Sequence, residues 1–375
     1  MRCLLVLLSF WCLSARAQPA IPVRDSVVVQ LPDSLNDAIQ SVEFSIAGDT
    51  LVAFDRYGAD IYLINHQGVC TSSIDLQKVF QKEIFPQSVG VNGNNVYAWI
   101  VGGKYQLEEK GVNEDASAYN VGFLNDTVSR YTDVFSSGGV HVDGYHRRFY
   151  MPVNVYRHAE TEADEMGQAF DRQTYKSGKV AVYRLDTPAM TFEQEIVFRP
   201  NAQADWLARH PQMNRAAFSF ADSAFAVAFA YDSLIRIYDY AGGCVDSFGR
   251  RGALMQRTDY TEVDKLPTSY FNDGTNVRSF NRRMDTLRRR SAYYGELSYD
   301  RTTQSAARVY SNPPPAGQPL HERVYWMQCF RRNRLVYDEP LLNGERMAGM
   351  QNGSVVTYRK DQTTLNRWVI YRTGF

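Results

Sequence analysis

Two stretches, DIYLINHQGVC at residues 60–70 and LIRIYDYAGGC at residues 234–244, align without a gap. Ile61, Leu63, Asn65, Gly68 and Cys70 fall on Ile235, Ile237, Asp239, Gly242 and Cys244, at a constant offset of 174 residues. In both, apolar side chains alternate and a Gly turn ends the run, which is the pattern of a half-buried strand entering a hairpin. Weaker copies stand at VGFLN (121–125) and VAVYR (180–184), so that from Ile61 the anchors step by 60, 59 and 55 residues. Such a period fits a four-stranded sheet unit with variable loops, and repeated four-stranded units around one axis make a β-propeller.

Outward from these anchors, strand-like runs group into sheets over roughly 41–76, 88–135, 139–198, 216–248 and 293–341. A sixth group has three strands, near RMAGM (346–350), SVVTYRKD (354–361) and NRWVIYRTGF (366–375). Its missing strand can come from Ser26 to Leu31 near the N-terminus, a clasp that closes the ring and covers an open sheet edge. The expected fold is therefore all-β: a six-bladed propeller of four-stranded antiparallel blades, with five or seven blades as alternatives.

The chain of 375 residues is 44% hydrophobic and 22% charged, which suits a packed globular domain and excludes disorder and coiled coil. Lys and Arg number 41 against 41 Asp and Glu, so the whole offers no basic footprint for nucleic acid. At the start, Arg2, an apolar run from Cys3 to Leu13 and Ala15-Arg16-Ala17 match a secretory signal, giving a mature propeller domain over 18–375. Cys12 as a lipid-bearing residue is disfavoured, because Trp11 stands where a small residue is needed. No later segment reaches the ~18 apolar residues of a membrane span. A secreted or periplasmic protein, monomeric, is expected. Cys70, Cys244 and Cys329 lie far apart with no C-x-x-C pair, so free core thiols are expected.

The run Ile235-Arg-Ile237-Tyr238-Asp239-Tyr-Ala-Gly242, followed by Phe248-Gly249-Arg250-Arg251-Gly252, resembles the repeat of NHL-type six-bladed propellers. In those, a strand ending in aromatic-Asp-x-x-Gly precedes a Phe-Gly-x-x-Gly turn. The layout is also similar to secreted six-bladed propellers of unknown function from Gram-negative bacteria. The resemblance implies architecture rather than activity.

Long loops are expected at 103–115, 154–178, 199–215 and 249–292, with short helices over Ile74–Phe85 and Glu162–Tyr175 and an extended Pro313–Pro319 linker. Loops of this length on a repeat scaffold are where binding resides. Catalytic motifs fail to appear: there is no G-x-S-x-G, H-E-x-x-H, Walker loop or G-x-G-x-x-G. Some six-bladed propellers hydrolyse lactones or phosphotriesters with a central calcium held by carboxylates and amides. Glu43, Asn92 and Asp143 are the inner-strand set that could serve here. His141 and His146 would face each other across a two-residue Asp143-Gly144 turn as a metal pair, whereas a longer turn through Arg148 would separate them. His158 beside Glu160, Glu162, Asp164 and Glu165 lacks the spacing of a calcium loop.

The neutral total hides a polarity. From Arg250 to Phe375 there are 19 Arg and 2 Lys against 12 acidic residues, and the rest of the mature chain is acidic. Arg282, Arg283, Arg288, Arg289 and Arg290 crowd one loop; arginine forks to carboxylate, sulfate or phosphate make them candidate contacts for an acidic protein or an anionic glycan. Two functions stay open: a non-enzymatic module that binds a protein, peptide or glycan and needs no cofactor, or a calcium-dependent hydrolase using the channel.

Overall fold

The computed structural model describes residues 23–31, 42–55, 58–81, 86–92, 95–102, 104–110, 117–120, 132–133, 141–143, 147–155, 178–185, 190–198, 216–221, 223–256, 291–314, 318–319, 323–364 and 366–375. The expected signal segment, His146, the helix expected over Glu162–Tyr175, the acidic residues beside His158 and the five arginines from Arg282 to Arg290 lie outside them.

The chain is an all-β propeller of four-stranded antiparallel blades. After the N-terminal strand β1 (Val23–Gln30), sheet I comprises β2 (Val42–Ala47), β3 (Thr50–Asp55), β4 (Asp60–Ile64) and β5 (Cys70–Asp75). A short helix α1 (Leu76–Phe80) leads to sheet II, with β6 (Pro86–Asn92), β7 (Asn95–Gly102), β8 (Lys104–Lys110) and β9 (Ser117–Asn120). Sheet III holds β10 (Thr132–Asp133), β11 (His141–Asp143), β12 (Arg148–Val155), β13 (Gly178–Leu185) and β14 (Met190–Phe198). Sheet IV is β15 (Ala216–Ala221), β16 (Ala224–Phe229), β17 (Ile235–Asp239) and β18 (Cys244–Phe248). Sheet V is β19 (Tyr293–Asp300), β20 (Ser305–Asn312), β21 (Val324–Arg331) and β22 (Arg334–Pro340). Sheet VI is β23 (Arg346–Gln351), β24 (Ser354–Lys360), β25 (Arg367–Gly374) and, paired to β25, strand β1.

Sheet III has five strands because its innermost place is shared. Both β10 and β11 pair with β12, the first at Val155 and Asn154 and the second from Tyr150 to Arg148. Thr132 and Asp133 therefore belong to sheet III, although the sequence groups them with the preceding sheet. Two other expectations need correction. Much of the loop expected over 103–115 is strand β8, which pairs with β7 from Val96 to Gly102. The helix expected over Ile74–Phe85 is confined to Leu76–Phe80: Asp75 caps it by accepting from the Lys78 N–H at 3.0 Å, and Gln81 ends it in the left-handed conformation.

The first strand of each sheet faces the axis, since β2, β6, β11, β15, β19 and β23 carry the contacts between neighbouring sheets. Apolar side chains fill every seam. Phe44 of sheet I packs 4.7 Å from Tyr358 and 5.8 Å from Trp368 of sheet VI, and Trp99 of sheet II lies 5.2 Å from Phe149 of sheet III. Tyr150 and Val182 meet Phe218 and Val227 between sheets III and IV, and Ile237 meets Ala306 and Phe330 between IV and V.

The repeat that decided the fold is reproduced atom for atom. Asn65 Oδ1 accepts from the N–H groups of Gln67 and Val69, and Asp239 Oδ1 accepts from those of Ala241 and Gly243, all between 2.7 and 3.0 Å. The bulge after Leu63 recurs after Ile237. Cys70 and Cys244 each donate a thiol to the carbonyl two residues on, at 3.4 Å, and Cys70, Cys244 and Cys329 are all free.

The Phe-Gly-x-x-Gly turn after sheet IV straps onto sheet V. Gly249 has φ +150° with a Ser233 carbonyl against its α-carbon, and a Cβ at Gly252 would enter the Tyr310 ring at 2.5 Å. Fully buried Arg308 donates to the Arg250 carbonyl at 2.6 Å and to Gln328 at 3.0 Å, while its guanidinium lies 3.8 Å over Tyr294. Burial pulls that guanidinium down to about 10. Asp338 completes the strap by accepting from Tyr310, Gln328 and the Ala253 N–H.

Candidate functional site

Antiparallel sheets whose first strands all run in one direction have two unlike faces. One face carries the turns from first to second and from third to fourth strand. The other carries the second-to-third links and the passages between sheets. On the first face no turn exceeds six residues. It is also knitted sideways: the Gly353 N–H donates to Asp300 Oδ2 at 2.9 Å, and Asn352 donates to Asp49 at 3.3 Å, joining sheets V, VI and I. Every connection longer than six residues leaves the second face, including 156–177, 199–215 and 249–292, apart from 134–140 between the two pieces of the inner strand of sheet III.

This topology sorts the candidate residues. Glu43 is the second residue of β2, at the end where the long connections emerge. Asn92 and Asp143 are the last residues of β6 and β11, at the opposite end. The three therefore sit at different ends of the channel wall, about five strand residues or roughly 15 Å apart along the axis. Along the backbone, then, the expected calcium set is divided between the two ends of the inner strands. β11 pairs with β12 in the longer register, with Tyr150 opposite His141 and Arg148 opposite Asp143, so the turn after Asp143 is longer than two residues; His146 itself lies outside the described residues. His141 stacks at 5.4 Å on Phe220 and 5.9 Å on Tyr240, as part of the aromatic seam between sheets III and IV. Among the described residues no group of three His, Cys, Asp or Glu is placed to hold a metal.

Different residues meet at the channel mouth on the long-connection face. Arg346 is the first residue of β23, and its Nη2 lies 3.5 Å from Glu296 Oε1 on β19. Glu296 Oε2 also accepts from the Met347 N–H at 3.1 Å. Glu296 reaches this position where the ladder between β19 and β20 slips between Tyr294 and Leu297. Surrounding protein removes water from Glu296 and pushes its carboxyl up, against the opposing pull of Arg346. Glu43 acts on Arg346 from the other side. Beneath them, Tyr358 pairs with Arg346 across the ladder, and burial pushes its hydroxyl up to about 12. The Arg346 and Glu296 side chains remain 57% and 37% exposed, so both face solvent.

Beside this pair lies an aromatic ledge. Tyr325 and Val324 at the start of β21, with Leu342 in the link to β23, are 40%, 45% and 43% exposed. The Leu341 N–H donates to the Tyr325 carbonyl at 2.8 Å, holding the link against the strand. Arg323 stacks 4.6 Å over Tyr293 and donates to the Ser291 carbonyl and Ser311 Oγ. The Tyr325 hydroxyl lies within the electrostatic reach of Tyr293, Arg323, Glu296 and Arg346. Sequence reasoning missed Glu296, Arg346 and Tyr325. The signal it could have used is the pairing of a charge with a following apolar residue in an inner strand, as in Glu43-Phe44, Glu296-Leu297 and Arg346-Met347.

No helix among the described residues is long and apolar enough to cross a membrane. No protein-family model matches the chain, and no curated protein matches its sequence. Solved structures do match. A member of the DUF4221 family from Bacteroides vulgatus superposes with a TM-score of 0.58 over 94% of this chain and 97% of its own, at 9% identity. A protein from Bacteroides fragilis described as exported gives 0.52 over 96% and 97%, also at 9% identity. At such identity the likeness shows the fold alone: this chain shares the propeller architecture of proteins whose activities are unassigned.

Proposed function

We propose that the six sheets are the six blades of one ring and that this ring is an exported, non-enzymatic binding module working as a monomer without a cofactor. It takes a protein, peptide or glycan partner through its long-connection face. One observation carries this reading: connection length is concentrated on one face, while the other has only short turns, bonded to one another across sheets V, VI and I. Variable loops on a rigid frame are the usual home of recognition. The Ala15-Arg16-Ala17 motif supports export, and the Bacteroides fragilis structure is of a protein so described. The arginines from Arg282 to Arg290 lie in the sequence between β18 and β19 and are the contacts proposed for an acidic partner.

The test is capture from the native extracellular or periplasmic fraction, with the chain immobilised. A variant in which 156–177 and 199–215 are replaced by short Gly-Ser links is compared with one carrying Asn352→Ser on the tight face. Partner loss in the first and retention in the second is expected. Retention in both would remove the reading. A companion variant with the five arginines changed to Ser, run on a sulfated-polysaccharide column, should elute at lower salt than the wild type.

A further inference from the structure

The ledge at the seam of sheets V and VI has the composition of a small-molecule subsite, and it rests on the binding reading above. We infer that it holds one ring of a neutral saccharide, with Tyr325 as the platform and the Glu296–Arg346 pair as the polar grip.

Three features lead there. First, Arg346 carries five N–H donors and gives one of them to a long 3.5 Å contact, so the guanidinium retains donors for a ligand. Glu296 supplies carboxylate lone pairs beside it. Donors and acceptors thus lie side by side, which is what vicinal hydroxyls require, because each hydroxyl both donates and accepts. Second, an aromatic side chain that is 40% exposed stands in the row of Ser311 and Tyr293, the row that opens the strand carrying Glu296, and the Leu341 N–H ties it to the link that leads to Arg346, with Val324 and Leu342 as further exposed apolar side chains. The C–H face of a pyranose is apolar and its rim is polar, so ledge and pair together match both parts of the ring. A binding site of this kind needs an apolar lining with a few placed polar groups.

Third, charge argues against an anionic occupant. Two guanidiniums, Arg346 and Arg323, stand with two carboxylates, Glu296 and Glu43, so the ledge carries no net charge and an acidic peptide, sulfate or uronate would have to sit against both carboxylates. Screened repulsion of this kind disfavours like charge by amounts that decide partner choice. A cationic occupant would meet Arg346 and Arg323. A neutral polyol meets neither penalty.

The test titrates cellohexaose, mannohexaose and chitohexaose separately into the mature chain by calorimetry. Saturable binding of one of them is expected, weakened at least tenfold by Tyr325→Ala and by Glu296→Gln. Tyr325→Phe should retain it, since the platform survives. Val245→Ser, on the outer strand β18, should leave it unchanged, and an unaltered thermal midpoint for each variant shows that folding is intact. Binding by none of the three sugars at millimolar concentration, or binding indifferent to both ledge substitutions, would overturn the inference. If a macromolecular partner is captured and lost with the shortened loops while no sugar binds, the saccharide inference falls and the binding face stands. If a sugar binds at the ledge but nothing captured depends on the loops, the reverse holds.

Discussion

Sheets I and IV carry the same turn, yet they lean on different kinds of neighbour. The Gly242 turn of sheet IV rests on Ile196 of β14, the outer strand of the sheet just before it in sequence; a Cβ there would come 3.3 Å from a side-chain methyl. The Gly68 turn of sheet I rests on β1, which belongs to the sheet made by the C-terminus; a Cβ there would come 2.7 Å from both Val27 and the Val28 carbonyl. The closing seam therefore copies an ordinary seam, with a strand from the far end of the chain standing in for the outer strand. It is tighter. Across it Arg372 donates to the His66 carbonyl at 2.7 Å, and within the closing sheet Arg24 reaches Glu345 at 2.6 Å, whose carboxylate also accepts from Thr357 and the Leu342 N–H. At both seams the outer strand runs on into the next sheet, β14 into β15 and β1 into β2; what β1 lacks is a short chain link to the rest of its own sheet, so its place beside β25 depends on the ladder and on specific contacts.

Removal of residues 18–33 should break the comparison most. It exposes the partners of Val29 and Leu31, both essentially fully buried, and leaves β25 with a bare edge from Arg367 to Gly374. At about 1.5–3 kcal/mol for each buried side chain, and about 2–4 °C per kcal/mol in a larger domain, the thermal midpoint should fall by roughly 10 °C or more. An unchanged midpoint in a calorimetric scan would show that β1 does not close the ring.

Arg24→Ala comes next, because it strands the buried Glu345 carboxylate. Breaking a buried pair costs about 3–5 kcal/mol, and Arg24 is 30% exposed, so the loss should lie near the lower end. Urea unfolding of this variant beside Arg331→Ala, whose guanidinium meets only the exposed C-terminal carbonyl, measures the difference.

The two glycines sharpen the contrast further. Both have positive φ, 83° and 92°, so alanine carries a shared penalty of about 1 kcal/mol at either site. Gly68→Ala must also displace main-chain atoms of β1, whereas Gly242→Ala needs only a small shift of Ile196. Gly68→Ala should be the more destabilising by about 1–2 kcal/mol; equal losses would mean that β1 is as yielding as a side chain.

The smallest effect is chemical. Cys70 and Cys244 make the same thiol contact, but Cys244 is exposed and Cys70 is half-buried, so a charged thiol reagent should label Cys244 first. Burial pushes the Cys329 thiol well up, so it should react only on unfolding, when titration without reductant should find three thiols. Faster labelling of Cys70 would indicate that the clasp opens in solution.

Much of the frame was legible because its signals are local. The alternation of Ile61 and Leu63, the Asn65–Gly68 turn and their copies 174 residues on are set by strand pleat and turn stereochemistry, which act within ten residues. The missing strand in the last sheet was legible by the same logic. Sheet III was misread at its inner edge, where β10 and β11 are too short for periodicity to register.

The candidate site was hardly legible at all. Glu43, Asn92 and Asp143 look equivalent as polar residues in inner strands, but strand direction puts Glu43 at one mouth of the channel and the other two at the opposite end. Glu296 meets Arg346 because a slipped ladder turns it toward the next sheet, and slippage of that kind has no mark in the sequence.

The sequence alone determined the repeat unit, its turn chemistry and the need for a closing strand, since each follows from nearest-neighbour geometry. Only the tertiary structure decided which charges share a mouth and which aromatic rings stay exposed. Those depend on the order of sheets around the ring and on the end of each strand that faces solvent, and both are fixed by packing between residues tens to hundreds of positions apart.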